Sequence, residues 1–580
     1  MPDPKSRHRS PPPPAMDAAA PPSGKAASKG RPTTTAAVVF ALLSAAAIPL
    51  CVTIASLRSR PNSSPPPAAA PLTTRTEQVA VVASSSSSSS SSLHEPTSPL
   101  SAPPSSPSSS STCSLSDEDF AYQPDLKVME YDLGYGMQEF RAYVTPDVSA
   151  FYRMGHGTLA KAVPKHKGHA AKFVNMSARR VRLWWDPNDG TRGASPMGFM
   201  GPFESTGTAS FPRHNFYIAD ADDGSIVLAR FVIDPPTSVH YYDDIAVDGD
   251  PDATERNVAK LSPDHQNRYR AHVDSRKFNK LYLDFTGREY LALYPRNVPS
   301  HKMWPADHFG QEHWVSTRET HFVANPPLSA LGPIDVVGSA RRLNSGDERL
   351  LSEYRDAETT HLNMTLRVLS CAPRAFEIVD FLSRSEVDHI MYLTTGLQLH
   401  RSTTAGGSDS DLPSRDNAKD TRTSLNTWVY REKDAVMDTI YRRAADLLRI
   451  DEALLRPRSE DEHPELGSRR SLAEALQLVH YDVGQEYTAH HDFGYARDQQ
   501  ADQPARFATL LLYLNEGMEG GATQFPRWIN AETSEGLNVE PKVGKAVLFY
   551  SQLPDGNMDD LSHHAAMPVR VGEKWLMNLW

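Results

Sequence analysis

Short apolar runs separated by turn residues dominate the C-terminal part of this 580-residue chain. The runs are RFATLLLYLNEG (506–517), GGATQFP (520–526) and GKAVLFYS (544–551), and each is bounded by Gly, Asn or Pro. Such runs between turn signals are typical of buried β-strands rather than helices. The pattern therefore predicts a mainly β domain at 361–580.

Alternating apolar and polar residues mark a second region, from AKFVNMSARRVRLWWDPNDG (171–190) to GPFESTGTASFPRHNFYIADADDGSIVLARFVID (201–234). The alternation and the NDG and DDG turns predict short antiparallel strands. We therefore expect a small β-sandwich over 116–236.

Between these two regions the apolar period changes. Apolar residues recur every three to four positions over 254–285, with a Ser-Pro pair in the middle that caps a helix. This pattern predicts a mixed linker domain with helical pieces at 237–360, which we expect to buttress the last domain.

The N-terminal region holds one long uncharged run, AAVVFALLSAAAIPLCVTIASL (36–57), behind a basic tail at 1–35. The run is long enough to cross a bilayer core of about 30 Å. We expect an uncleaved transmembrane signal anchor, single-pass type II in the endoplasmic reticulum or Golgi membrane, with everything after Leu57 lumenal. The Ser- and Pro-rich segment 58–115 predicts a disordered stalk. The alternative is an organelle transit peptide.

Charge, sequons and cysteines refine this picture. The net charge is −11 although the tail is basic, so the folded part is acidic and no nucleic-acid partner is expected. Asn62, Asn175 and Asn363 stand in N-x-S/T glycosylation triplets, which agree with a lumenal location. Three cysteines exclude a disulfide framework but allow one bridge between Cys113 and Cys371.

Two distant segments, YDVGQEYTAHHD ending at Asp492 and SHHAAMPVRVGEKW beginning at Ser562, supply potential metal ligands. His490 and Asp492 lie two residues apart, so on a strand both side chains leave the same face. His564 would complete a 2-His-1-carboxylate triad, which leaves open positions on Fe(II). Lys574, ten residues further on, could anchor the carboxylate of a cosubstrate.

Other histidines are not expected to be ligands. By strand alternation His491 points away from His490, and His563 is expected to be a neighbour of the ligand His564. The segment 301–322 carries four histidines, but their spacing fits no standard zinc or iron pattern. We expect that segment to be structural or to form an interface.

These segments, with APRAFEIVDFLSRSEVDHIM (372–391) and TRTSLNTWV (421–429), resemble the 2-oxoglutarate and Fe(II)-dependent dioxygenases of prolyl 4-hydroxylase type. The resemblance covers about the last 210 residues. It implies a double-stranded β-helix, or jelly roll, with helices packed on one side. It also implies that His490, Asp492 and His564 hold the iron and that Lys574 binds the distal carboxylate of 2-oxoglutarate.

The same resemblance implies further roles. Tyr481 and Thr523 would contact 2-oxoglutarate, while Arg506, counted among the catalytic residues, and Trp580 would face the peptide substrate. The family normally continues several residues past Trp580, which leaves the last strand short or the sequence incomplete.

The implied activity is hydroxylation of a C–H bond coupled to decarboxylation of 2-oxoglutarate to succinate, with Fe(II), dioxygen and ascorbate as cofactors. The expected substrate is a proline-containing peptide or protein of the secretory pathway. The alternatives are an inactive lumenal scaffold protein and the same chemistry on lysyl or non-peptide substrates.

The sandwich region carries a second resemblance. FVNMSARRVRLWW (173–185) is similar to the β domain of the von Hippel-Lindau tumour suppressor, a reader of hydroxyproline, over about 65 residues (171–235). Ser210 and His214 fall on its hydroxyproline-contacting positions, whereas Phe216 replaces a Trp. A plain scaffolding sandwich is the alternative.

Overall fold

The computed structural model describes residues 126–145, 164–187, 193–292, 294–296, 301–323, 331–336, 362–402, 421–493, 505–531 and 533–580. The predicted tail, membrane span and stalk lie outside these residues, and so does Cys113. All described residues belong to one compact unit, Ser108–Trp580. Within the described ranges, no helix combines the length and the apolar character that crossing a bilayer requires.

In the described residues, ten strands precede the helices: β1 (Leu126–Tyr131), β2 (Gln138–Tyr143), β3 (Pro164–His166), β4 (His169–Asn175), β5 (Val181–Asp186), β6 (Ser195–Met200), β7 (Ser205–Ser210), β8 (Asn215–Asp220), β9 (Val227–Val232) and β10 (Val239–Tyr242). Seven of them form two sheets, in the orders β10-β4-β7 and β6-β5-β8-β9. Phe173, Leu183 and Phe216 from the two sheets share one apolar core. These sheets form a small β-sandwich that extends to Tyr242, past the predicted boundary at 236.

The hairpin of β1 and β2 packs elsewhere. It lies against α2 (Pro263–Thr286), which follows the short helix α1 (Pro251–Val258). Phe278 of α2 meets Phe140 and Tyr131 edge to face, with ring centroids 5.1 and 5.2 Å apart. Ser262 caps α2 and Pro263 follows at its first turn, so the helices divide at the Ser-Pro pair.

The remaining strands are β11 (Glu312–Thr317), β12 (Leu362–Cys371), β13 (Arg374–Ile378), β14 (His400–Arg401), β15 (Leu425–Val429), β16 (Leu476–Tyr481), β17 (Tyr487–His490), β18 (Ala508–Tyr513), β19 (Glu519–Gly520), β20 (Thr523–Asn530), β21 (Gly536–Val539), β22 (Ala546–Tyr550), β23 (His564–Ala566), β24 (Val569–Val571) and β25 (Lys574–Leu579).

Two of the resulting sheets face each other. The larger has the order β11-β12-β13-β22-β18-β25-β16-β15-β14, and the smaller has the order β17-β23-β20-β21 with β3 added at β20. Phe525 of the smaller sheet meets Phe549 of the larger, with ring centroids 5.4 Å apart, inside a core that both sheets share. This mainly β arrangement agrees with the predicted jelly roll.

Helices α3 (Arg384–Thr394) and α4 (Ala435–Leu448) share their core with the larger sheet. Ser383 and Glu386 form a capping box at the start of α3, where the sequence turns acidic. Glu386 also pairs with Arg443 of α4 at 2.7 Å, and both side chains are fully buried. This ion pair fixes the two helices relative to each other.

The parts of the described unit are joined by backbone pairing and by buried polar contacts. β11, from the predicted linker domain, is an edge strand of the larger sheet, and β3 extends the smaller one. Asp555 accepts hydrogen bonds from Tyr143 N and Tyr282 Oη at 2.8 and 2.5 Å. The boundaries predicted at 236 and 360 therefore do not separate structural units, because strands from both sides share sheets.

One predicted modification site is wrong. Asn175 is fully buried, and its Nδ2 donates to the carbonyls of Arg179 and Gly201, both at 2.8 Å. A glycan on that nitrogen would remove both bonds and has no room. Asn363, on β12, is exposed. Cys371 forms no disulfide with another described residue and is buried, and burial raises the pKa of its thiol to about 12.

Candidate active site

The predicted metal ligands converge at the edge of the smaller sheet. His490 ends β17 and pairs in register with His564, the first residue of β23. Asp492 follows two residues after His490, and its two carboxylate oxygens lie 3.7 Å from His490 Nε2 and 3.6 Å from His564 Nε2. Two metal bonds of about 2.1 Å each can span such separations. The three side chains therefore fit one metal ion.

Both histidines are oriented by their own backbone. His490 Nδ1 lies 2.9 Å from the carbonyl of Thr488, and His564 Nδ1 lies 2.9 Å from the carbonyl of Ser562. Since Nδ1 must then carry the proton, Nε2 keeps its lone pair and faces the carboxylate, as a metal ligand requires. Burial, and then the neighbouring His564, lower the pKa of His490, which keeps this ring neutral.

Asp492 is held as a carboxylate. Burial alone would raise its pKa, but His564, His490 and Arg506 lower the pKa below its ordinary value. Its Oδ2 accepts hydrogen bonds from Thr509 Oγ1 at 2.6 Å and from Trp580 Nε1 at 3.1 Å. Thr509 was not predicted. Its signal was the threonine hydroxyl within the otherwise mostly apolar run of β18.

His491 and His563 stand outside the triad, as strand alternation predicted. The His491 ring faces the opposite way and contacts the carbonyl of Asp560 at 2.9 Å through Nε2. In the histidine-rich segment 301–322, His313 Nε2 contacts the carbonyl of Pro305 at 2.7 Å. Among the described residues, none of that segment's histidines joins a potential ligand group.

One other group of possible ligands exists in the described residues, formed by His480, Asp482 and Glu573. Both carboxylates are exposed, and His480 Nε2 is hydrogen-bonded to Glu573 at 2.8 Å while its ring stacks on Trp575. We interpret the group as a surface hydrogen-bonding cluster.

Lys574 occupies a buried pocket beside the triad. Its side chain is fully buried, and Nζ donates to the carbonyl of Gly521 at 2.5 Å. Nζ also lies 5.5 and 5.6 Å from the ring centroids of Tyr481 and Tyr513. Within the described residues Lys574 has no carboxylate in an ion pair, and burial lowers its pKa to about 7. A buried cation without an anion is suited to a carboxylate ligand.

The other predicted contacts of the cosubstrate flank this lysine. Tyr481 pairs with Lys574 across strands β16 and β25. Thr523 Oγ1 accepts a hydrogen bond from Tyr513 Oη at 2.8 Å and is buried. Thr523 also pairs in register with Ala566, two residues after the ligand His564, so pocket and triad adjoin. Tyr513 was not predicted, although a hydroxyl buried in LLLYL requires a partner.

The two predicted substrate residues contact each other. The Arg506 guanidinium lies 3.6 Å above the Trp580 ring and 3.8 Å from Asp492. Glu474, which was not predicted, accepts two hydrogen bonds from Arg506 at 2.7 and 3.0 Å. Arg506 and Trp580 therefore border the triad, and the positive charge of Arg506 is already balanced by the carboxylate of Glu474.

Ser210 and His214 also lie together, in the sandwich. Ser210 Oγ and His214 Nδ1 are 3.1 Å apart. Phe216 points into the sandwich core against Phe173. Their predicted role in binding hydroxyproline stays a prediction.

Fold and site together are those of a 2OG-Fe(II) oxygenase, and the family model described as the 2OG-Fe(II) oxygenase superfamily matches residues 476–580. Probable prolyl 4-hydroxylase 3 of Arabidopsis thaliana is 34% identical over 226 residues, 37% of this chain and 70% of that protein. Prolyl 4-hydroxylase 5 of the same plant is 31% identical over 264 residues, 42% of this chain and 81% of that protein.

Among solved structures, a viral collagen prolyl hydroxylase from Paramecium Bursaria Chlorella virus-1 is 25% identical. The match covers 36% of this chain and 94% of that chain, with a TM-score of 0.25. On the sequence relatives, the chain belongs to the prolyl 4-hydroxylase family and is a 2-oxoglutarate-dependent dioxygenase. Membership implies Fe(II), 2-oxoglutarate and dioxygen as cofactors, and the donor set of the triad fits the iron.

Proposed function

We propose that this protein is a membrane-anchored prolyl 4-hydroxylase that acts on prolyl residues of secretory-pathway peptides or proteins. The observation that carries the proposal is the pairing of one converged triad, His490, Asp492 and His564, with the buried Lys574, which forms no ion pair with a described carboxylate. The relatives named prolyl 4-hydroxylases support a prolyl substrate.

Each residue has a defined task in this proposal. When bound, Fe(II) supplies the activation of dioxygen and the oxidation of the substrate C–H bond. His490 and His564 present oriented lone pairs, and Asp492 supplies the negative charge. Lys574 holds the distal carboxylate of 2-oxoglutarate, which then lies between the lysine and the triad. Ascorbate serves as the reductant.

The buried pocket also excludes water from this charge pair. A lysine–carboxylate contact is stronger in a dry site than in solvent, since the local dielectric constant is lower. Tyr481, Tyr513 and Thr523 close the pocket with apolar rings and a few polar atoms, which fix the orientation of the bound dicarboxylate.

The test is incubation of the purified chain with Fe(II), 2-oxoglutarate, ascorbate and a panel of proline-rich peptides. We expect mass spectrometry to find one added oxygen on prolyl residues and an equal amount of succinate. Oxygen on lysyl residues would move the substrate class to lysine. Succinate without any modified peptide would indicate a non-peptide substrate. Neither product would favour an inactive scaffold protein.

Membrane anchoring is tested on the full chain in cells. If 36–57 is an uncleaved anchor, the protein resists carbonate extraction. Glycosidase should lower its mass through Asn62 or Asn363, and replacing both with Gln should remove the shift. A shift that survived the double replacement would indicate glycosylation of Asn175, which the fold buries. An extractable, unglycosylated protein would support the transit-peptide alternative.

A further inference from the structure

A cavity of about 560 Å³ lies between the β-sandwich and the mouth of the jelly roll. One wall is formed by β7 of the sandwich, through residues 207–210 and Phe211. The opposite wall is formed by residues 488–491, which include the predicted iron ligand His490, together with Arg527 and His563. The cavity therefore connects the sandwich to a residue of the triad.

The sandwich presents the edge of β7 to this cavity. Successive side chains of a strand point to opposite faces, so a strand seen from its face contributes every second residue. Residues 207–210 all line the cavity, so β7 meets it with its edge and not with one of its faces. Within the described part of the chain β7 pairs with β4 alone, so the outward backbone N–H and C=O groups of residues 207–209 are available to a further strand.

The opposite wall offers unpaired donors. The Arg527 side chain is nearly fully buried, and its Nη1 is bound to Asp560. Its Nε and Nη2 have no hydrogen-bond partner in the described residues, nor has His563 Nδ1. These nitrogens are enclosed by the protein, so a ligand in the cavity reaches them only after a shift of the Arg527 side chain.

The backbone is shaped around this guanidinium. Gly168 connects β3 to β4 with φ +77°, and a Cβ there would lie 3.0 Å from the carbonyl oxygen of Ser210 and 3.9 Å from Arg527 Cζ. Glycine at this position lets the sandwich approach the jelly roll closely. The two walls are thereby held at a fixed separation.

We propose that this cavity binds an extended segment of the peptide substrate flanking the target prolyl residue, through hydrogen bonds along β7 and to Arg527. The inference rests on the proposed prolyl hydroxylase function. The backbone of an extended peptide supplies both the N–H donors and the C=O acceptors that an open strand edge requires. Addition of an extended peptide to a free strand edge is a recurring mode of recognition. The sandwich would thus select substrates by sequence outside the hydroxylated residue.

The experiment compares two synthetic peptides with one prolyl target each, one of about four residues and one of about twelve, since a strand rises about 3.3 Å per residue. We expect kcat/KM to be about tenfold higher for the long peptide, equivalent to about 1.4 kcal/mol. Ala209→Trp fills the cavity and should bring the ratio of the two values to about one. Val232→Trp, an exposed position on β9 away from the cavity, is the matched control and should preserve the ratio.

A second measurement does not depend on turnover. A photoreactive benzoylphenylalanine in place of Thr208 should crosslink the long peptide when 2-oxoglutarate is present and oxygen is excluded, and the same residue in place of Val232 should not. Arg527→Lys keeps a positive charge beside Asp560 but removes the spare donors. It should lower kcat/KM for the long peptide more than for the short one.

The outcomes separate this inference from the proposed function. Hydroxylation of both peptides with equal kcat/KM, with no crosslink at position 208, would overturn the inference and leave the hydroxylase function intact. Absence of hydroxylation on either peptide would overturn the function and the inference with it.

Discussion

Two cations border the candidate site, and their surroundings differ. Lys574 is fully buried and meets one carbonyl and two tyrosine rings, with no carboxylate paired to it in the described residues. The Arg506 side chain is 30% exposed, bonded twice to Glu474 and stacked on Trp580. Among the described residues, the lysine thus has no directly bonded anion until a ligand enters, whereas the arginine is already bonded to Glu474.

This difference indicates two roles for a positive charge: a buried charge can bind a ligand, whereas a partly exposed ion pair can hold a side chain in position. An unpaired buried charge is costly, so a ligand that neutralises it gains strongly. A partly exposed ion pair contributes only about 0–1 kcal/mol, and its value lies in fixing a side chain in place. We expect Lys574 to govern affinity for the cosubstrate and Arg506 to govern alignment of the substrate.

The largest effect is expected when a ligand of the metal is removed. Asp492→Ala should abolish succinate formation and iron retention, measured by turnover and metal analysis, while circular dichroism stays unchanged. Asp482→Ala is the control, because Asp482 belongs to the surface group with His480 and Glu573. Retained turnover in Asp492→Ala, or loss of iron in Asp482→Ala, would place the metal elsewhere.

Next in size is Lys574→Ala. Losing one member of a buried charge pair costs about 2 kcal/mol or more, so KM for 2-oxoglutarate should rise at least about 30-fold. Lys172 is the matched control, since it is equally buried, donates to the carbonyl of Leu291, and has a pKa that burial lowers to about 7. Lys172→Ala should change thermal stability without changing that KM. An equal rise in both variants would argue against a carboxylate site at Lys574.

A smaller effect follows from pH. Burial lowers the pKa of Lys574 from 10.5 to about 7, so between these values the folded, ligand-free protein binds fewer protons than the unfolded chain. This group's contribution to stability therefore rises with pH across that window. Binding of 2-oxoglutarate requires the charged lysine, so its affinity should fall as pH rises above about 7, with uptake of a proton. Calorimetry in buffers of different ionisation enthalpy measures this uptake. No uptake would mean that the lysine is already charged in the free protein.

The smallest effect is expected at Arg506. Arg506→Ala should lower kcat/KM for the peptide about fivefold, equivalent to about 1 kcal/mol, because the pair with Glu474 is partly exposed. Decarboxylation of 2-oxoglutarate without peptide should persist. Glu474→Gln should give a similar, weaker defect. If Arg506→Ala instead raised KM for 2-oxoglutarate as Lys574→Ala does, the two cations would share one role.

Part of the site could be predicted because it depends on local geometry. His490 ends β17 and Asp492 follows two residues later, so the alternation expected of an extended chain places their side chains together. His564 and Lys574 were proposed from their side-chain chemistry, and the family resemblance supported their roles, since nothing local links them to that strand. Glu474 was missed because its partner Arg506 lies on a segment whose position relative to it is set by tertiary packing.

The fold, like the site, has features that the local sequence predicted and features that depend on residues far away in the chain. Apolar runs and turn residues indicated the strands β18 and β22, and the Ser-Pro pair indicated the division between α1 and α2. Pairing across the predicted boundaries could not be predicted, because strand register depends on partners far away in the chain. Asn175 illustrates the same limit, since a glycosylation triplet carries no information about burial.

The pairing of β3 with β20 has a practical consequence. A shortened chain beginning at residue 361 would contain every triad residue and Lys574, yet it would lack both β3 and β11. The outer backbone groups of β20 and β12 would then face solvent without partners, and bare strand edges of this kind recruit other chains. We expect such a fragment to aggregate more readily than the full chain, which light scattering of the two purified proteins would show.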